Sequence, residues 1–194
     1  MAPESPTWIV LAGGRGTRMG GPKLELELEG RRLVDHVVDA IPADDRVIVV
    51  GPLHGFARGV ETCIEEPRHG GPVAALAAAL PLIRTGCFIL LGADMPRAVP
   101  IAVELASVPH DADVVVALDA EGRRQPMCAR WRTDAARAAV ASLPVVSGAS
   151  LHALLDLLTV HEISATDPAG LRDIDTPDDL AAARSAHEED VRGA

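Results

Sequence analysis

Short apolar runs recur along the chain and alternate with stretches in which apolar residues return every three or four positions. The runs predict strands over 8–11, 47–50, 61–64, 88–91, 114–117, 127–131 and 160–163. The intervening periodicity predicts helices over 33–41, 72–83, 100–107, 133–142, 148–157 and 177–186. Strand and helix taking turns in this way is the pattern of an α/β domain, a mostly parallel sheet covered by helices on both faces. Helix starts carry their own chemistry. Thr176-Pro177-Asp178-Asp179 offers a hydroxyl cap, a proline in the first turn and acids at the positive end of the dipole. Gly71-Pro72 opens the earlier helix without a side-chain cap.

The first strand runs into Ala12-Gly13-Gly14-Arg15-Gly16-Thr17-Arg18-Met19-Gly20-Gly21-Pro22-Lys23. Gly13, Gly14 and Gly16 let the backbone turn and bring bare N–H groups against anionic oxygens, and Arg15, Arg18 and Lys23 add fixed positive charge. Guanidiniums gripping through paired donors beside a lysine point charge suit a triphosphate. A P-loop is excluded, because Lys23 is followed by Leu24 rather than by Ser or Thr. The dinucleotide fingerprint also fails, since Gly14-Arg15-Gly16-Thr17-Arg18-Met19 lacks its third glycine.

The chain has 194 residues, a length that fits one domain, expected over 7–187 with flexible ends at 1–6 and 188–194. Aromatic residues make up 2% of it and tyrosine is absent, so Ala, Val, Leu and Ile must build the core. A net charge of −10 argues against nonspecific nucleic-acid binding, which needs a basic field. A phosphate site must then be a local positive island, and Arg15, Arg18, Lys23, Arg31 and Arg32 crowd one stretch. Cys63, Cys87 and Cys128 are odd in number and scattered through apolar runs, which reads as reduced thiols in the cytoplasm. No apolar run is long enough to span a bilayer, so neither secretion nor membrane insertion is expected.

Candidate side chains stand where open α/β sheets gather ligands, past the carboxyl ends of strands. Asp94 follows the run 88–91 and is the first candidate metal ligand, with a turn cap as the alternative. Asp175 is the second acid, for metal or acceptor, although its place before Thr176-Pro177 also suits a helix cap. Asp173 is the weaker third, because its alternation with Ile174 also fits a solvated edge strand. Glu65 and Glu66 end a strand, and either offers a carboxylate to ribose hydroxyls or to the paired donors of a guanine edge. Arg123, Arg124, Gln125 and Pro126 precede another strand and supply donors for an anionic acceptor, or form a charged hairpin turn. His69 reads as a surface loop residue, and the other histidines show no metal-ligand spacing.

The segment from Leu11 to Lys23 resembles the signature loop of enzymes that join a nucleoside triphosphate to a phosphate, most closely the molybdenum cofactor guanylyltransferase family. Four more blocks follow in the family's order: Glu65 to Leu80 with its Gly71-Pro72, Leu90-Leu91-Gly92-Ala93-Asp94-Met95-Pro96, Gly122 to Trp131, and Asp173-Ile174-Asp175-Thr176-Pro177-Asp178-Asp179-Leu180. The resemblance implies a three-layer Rossmann-like nucleotidyltransferase fold and Mg²⁺-dependent transfer of GMP from GTP to molybdopterin. It assigns Leu11, Ala12, Gly13, Gly14, Arg15, Gly16, Lys23, Glu65, Glu66, Gly71 and Asp94 to the nucleotide, and Asp94 with Asp175 to the metal. Arg124, Gln125, Pro126 and Asp175 fall to the acceptor, while Arg18, Lys23 and Asp94 carry the catalytic charge. It also implies transient contact with cofactor-synthesis proteins or molybdoenzymes.

The chain departs from the family pattern at three places: glutamate where Asp is common before Gly-Pro, Pro22 where Asp usually precedes the lysine, and no basic residue in Ser147-Gly148-Ala149-Ser150. A cytidylyltransferase, a sugar-phosphate nucleotidyltransferase, or a nucleotide-binding adaptor without chemistry are the alternatives.

Overall fold

The computed structural model describes residues 5–13, 27–176 and 178–184. In chain order these form β1 (Thr7–Leu11), β2 (Glu27–Leu28), β3 (Arg31–Arg32), α1 (Leu33–Ala40), β4 (Val47–Val50), β5 (Glu61–Cys63) and α2 (Pro72–Ala79). There follow β6 (Cys87–Gly92), α3 (Val99–Ser107), β7 (Val114–Leu118), β8 (Arg124–Arg132), α4 (Thr133–Ser142), α5 (Leu151–Leu155), β9 (Val160–Ser164) and a helix α6 over 178–184. Each strand expected from an apolar run is present.

The main sheet has seven strands in the order β5-β4-β1-β6-β8-β7-β9. Only β8 runs against its neighbours, β6 and β7. The remaining pairings are parallel, so the sheet is mostly parallel as expected. Alternation along β1 shows how the sheet fills both faces. Trp8 and Val10 pack with Val34, Val37 and Val38 of α1 and with Ile101 and Leu105 of α3. Ile9 and Leu11 pack on the other face with Val73 and Leu76 of α2 and with Leu154 of α5. The aliphatic core holds its few large rings at depth: Trp8, Trp131 and Phe88 are buried, and Phe88 stacks on Trp131 with centroids 6.3 Å apart.

Where the elements differ from the periodicity, backbone chemistry explains it. The apolar period continues past α2, but Pro81 has no N–H to donate, and the chain tightens into a 3-10 turn over Leu80–Leu82. The helix expected over 148–157 shrinks to α5, because Gly148 adopts φ 82° and the Ser150 side chain caps the helix by accepting from the Ala153 N–H. Strands β2 and β3 were not foreseen. They are too short for alternation, and their signal is the Glu29-Gly30 turn, with φ of 55° and 76°. No helix among the described residues is long and apolar enough to cross a membrane.

The chain leaves β1 toward β4 on one side, then returns from β5 through α2 to β6 on the other. The sheet therefore reverses its winding between β1 and β6. At the carboxyl edge there, Leu11 lies in register with Val50 and Gly92, and the Ala93 N–H donates to the Leu11 carbonyl at 3.1 Å. Such a switch point leaves a crevice above the strand ends.

Candidate active site

Asp94 leaves β6 at the switch point and is half-buried. Its placement needs Gly92: a Cβ there would sit 2.6 Å from Asp94 Oδ1 and 3.2 Å from Met95 Sδ, so a side chain would push the carboxylate away. The segment 172–176 comes alongside from the far end of the chain. The Ile174 N–H donates to the Asp94 carbonyl at 3.0 Å, and the Ile174 side chain is buried with Leu28 and Leu33. With Ile174 turned inward, Asp173 and Asp175 join Asp94, and one carboxylate oxygen from each lies within 4.8 Å of the others. The segment is closed by a reciprocal cap. The Asp179 N–H donates to Thr176 Oγ1 at 3.2 Å, while Asp179 Oδ2 accepts from the Thr176 N–H at 2.8 Å and the Asp175 N–H at 3.1 Å.

Two cavities open along this edge and share Gln125 and Met127 as a wall. The larger, about 590 Å³, lies over Leu11 and Gly13 and is walled by Gly71, Pro72, Pro126 and Leu151. Glu65 reaches into it with 8% of its surface exposed, its Oε1 accepting from the His69 N–H at 3.1 Å. A Cβ on Gly13 would stand 3.6 Å from that same oxygen, so the first-loop backbone and the carboxylate face one another. Glu66 is exposed and does not line the cavity. Gly71 takes φ 90° at the start of α2, and the Gly148 N–H donates to the Gly70 carbonyl at 2.7 Å, fastening the Ser147–Ser150 stretch over this cavity.

The smaller cavity, about 450 Å³, lies beside Asp94 and Asp173 and is closed by the hairpin from Asp119 to Arg123. Asp119 organises that hairpin: Oδ1 accepts from the Arg123 N–H at 2.8 Å, and Oδ2 accepts from Arg123 Nε at 3.0 Å and Gln125 Nε2 at 2.9 Å. These bonds, led by the Arg123 N–H, hold its carboxyl below the usual carboxylate range. Pro126 falls where β8 loses register with β7, the partners jumping from Val116↔Ala129 to Ala117↔Gln125. A proline is tolerated at such a bulge, and the bulge turns Gln125 toward both cavities.

The structure thus gathers Leu11, Gly13, Glu65, Gly71, Asp94, Gln125, Pro126 and Asp175 at one sheet edge, with Ala12 buried at the end of β1. Arg124 points elsewhere: its Nε donates to Glu162 Oε1 of β9 at 2.7 Å. Arg123 lines the smaller cavity instead. Gly14, Arg15, Gly16, Arg18 and Lys23 lie outside the described residues. Sequence reasoning missed several residues that line the cavities, among them Asp119, Met127, Arg172 and His152 from α5, and His69, which had read as a surface loop residue, lines the larger one.

Comparison with known proteins supplies the family. The profile of the MobA-like NTP transferase domain matches residues 8–162. The chain belongs to that family. MobA-like relatives include a probable molybdenum cofactor guanylyltransferase of Nostoc, 30% identical, the alignment covering 90% of this chain and 88% of that one. Another is the molybdenum cofactor guanylyltransferase of Cupriavidus metallidurans, 28% identical over 90% of this chain and 92% of the relative. Among solved structures, the molybdopterin-guanine dinucleotide biosynthesis protein A of Archaeoglobus fulgidus aligns with TM-score 0.69 at 22% identity, covering 94% of this chain and 99% of that one. A 2-C-methyl-D-erythritol 4-phosphate cytidylyltransferase from Thermus thermophilus shares the fold, with TM-score 0.66 at 18% identity and coverage of 93% and 98%. The chain is accordingly a nucleotidyltransferase with the three-layer α/β fold of this family.

Proposed function

We propose that this enzyme transfers GMP from GTP to the phosphate of molybdopterin, releasing pyrophosphate and forming molybdopterin guanine dinucleotide. The observation that carries the reading is the buried Glu65 carboxylate facing Gly13 in a cavity that adjoins the one beside Asp94 and Asp173. A carboxylate is the side chain that can receive both adjacent donors of a guanine edge. The names of the relatives from Nostoc and Cupriavidus support the same substrates.

In this reaction an acceptor phosphate oxygen attacks the α-phosphorus, the bond from that phosphorus to the bridging oxygen breaks, and pyrophosphate leaves with the electron pair. The acceptor is already anionic, so alignment and charge neutralisation supply the rate rather than a strong base. Asp94, Asp173 and Asp175 would hold Mg²⁺. Their set is all oxygen, the donor type this ion prefers, and one carboxylate oxygen from each lies within 4.8 Å of the others. When bound, the ion supplies Lewis acidity at the phosphates and offsets the charge of the leaving group. Glu65 orients the base, Gln125 stands between nucleotide and acceptor, and Arg18 and Lys23 steady the triphosphate. The site belongs to the cytoplasm, where thiols such as the buried Cys128 stay reduced.

Incubating the protein and Mg²⁺ with molybdopterin and each of the four ribonucleoside triphosphates, followed by mass analysis, tests the reading. The guanine dinucleotide and pyrophosphate are expected. Preferred formation of the cytosine product, or no product from any triphosphate, would overturn it.

A further inference from the structure

The smaller cavity has a charge problem that its own residues define. Its wall carries the carboxylates of Asp94, Asp119, Glu121 and Asp173 against the guanidiniums of Arg123 and Arg172. Arg123 is already spent: its Nε donates to Asp119 at 3.0 Å and its Nη2 to Glu121 at 2.8 Å, and these bonds raise its pKa further. An anionic acceptor entering here must meet a cation that those acids have not neutralised.

Arg172 is that cation. Its guanidinium has no hydrogen bond or ion pair among the described residues, whereas those of Arg97, Arg123, Arg124 and Arg130 are all engaged. The backbone on either side is pinned. The Arg172 N–H donates to the Ala169 carbonyl at 3.3 Å, Leu171 before it is buried, and Ile174 after it is tied to Asp94. The base of the side chain is therefore fixed next to Asp173 while its planar fork is left for a ligand. Five N–H donors in that fork match a phosphate through paired bonds, which a point charge would not. We propose that Arg172 binds the phosphate of the acceptor and sets it beside Asp94, so that the acceptor class is a phosphate monoester whose body occupies the cavity of about 450 Å³.

This rests on the transferase reading above, and the test separates the two. Initial rates are measured for the wild type, Arg172→Ala and Arg172→Lys, with GTP and molybdopterin varied in turn, and melting is followed to check the fold. Arg172→Ala should raise KM for molybdopterin by about tenfold or more, the cost of a lost charge-assisted pair, and leave KM for GTP unchanged. Arg172→Lys should recover part of the loss, because charge returns without the fork. If the wild type forms the dinucleotide and Arg172→Ala keeps its KM for molybdopterin, the role of Arg172 is refuted and the activity stands. If the loss appears equally in KM for GTP, Arg172 serves the triphosphate and the proposal is wrong. If the wild type binds GTP with Mg²⁺ yet transfers nucleotide to no phosphate monoester in a panel containing molybdopterin and sugar phosphates, both readings are overturned.

Discussion

Replacing Glu65 by glutamine tests base recognition with almost no change in shape. The carboxylate is 8% exposed and one oxygen already accepts the His69 N–H at 3.1 Å. An ionised carboxylate has about four acceptor positions, so capacity remains for both donors of a guanine edge. A glutamine must keep its carbonyl on the His69 N–H, because turning the amide would set two donors against each other. Its NH₂ then faces the cavity and opposes the guanine donors. Losing a charge-assisted bond of this kind costs about 1.5–3 kcal/mol, roughly a ten- to hundredfold loss in kcat/KM for GTP. Adenine offers no such donor pair on that edge and does not depend on the carboxylate, so ATP should be affected little. The wild type should favour GTP over ATP by about tenfold or more, and Glu65→Gln should erase most of that preference while chemistry continues. Glu66→Gln, at an exposed position outside the cavity, should leave the ratio alone. Pyrophosphate release with molybdopterin as acceptor measures both values. An unchanged GTP:ATP ratio in Glu65→Gln, or a changed one in Glu66→Gln, would falsify the assignment.

Asp94→Asn should abolish transfer with the melting temperature preserved, since the amide keeps the shape but not the charge that holds Mg²⁺; Mg²⁺-dependent turnover in this variant would remove Asp94 from the mechanism. Gly92→Ala should act through Asp94, because the new methyl would fall 2.6 Å from its Oδ1; an about tenfold higher Mg²⁺ requirement is expected, and an unchanged Mg²⁺ titration would refute the contact. Lys23→Ala should cut turnover with a modest change in stability, whereas a large drop in melting temperature with normal kinetics would make it structural. Burial pushes the Cys128 thiol up to about 12, so at pH 8 it carries essentially no thiolate and should resist iodoacetamide until the protein unfolds; modification of the native protein, located by mass spectrometry, would contradict that burial.

The central strands β1, β4, β6 and β7 were legible because each is a buried apolar run with clear ends, as strands covered by helices on both faces are. The choice between Glu65 and Glu66 was also within reach of the sequence, though only through strand parity. Val50 lies in register with Cys63, and Cys63 packs on the face shared with Leu11 and α2. Continuing that alternation past β5 exposes Ile64 and returns Glu65 to the inner side. The fate of Arg124 was not legible. Its partner Glu162 belongs to β9, on the far side of β7, and only the strand order brings the two together.

The third acid is instructive because its pattern was visible and its meaning was not. Asp173-Ile174-Asp175 alternates like a solvated edge strand, yet the segment joins neither sheet. What decides its position is the partner of the central residue. Ile174 is 3% exposed, packed on Leu28 of the β2–β3 hairpin and on Leu33 of α1, and its N–H is committed to the Asp94 carbonyl. Burying an isoleucine fully is worth about 1.5–3 kcal/mol, which helps hold two acids against Asp94 despite their mutual repulsion. Sequence alone could not supply this, because the hairpin that receives Ile174 rests on two-residue strands with no periodicity to announce them. The acidic cluster is thus held in part by one apolar side chain, and its geometry depends on a small core that lies apart from both faces of the main sheet.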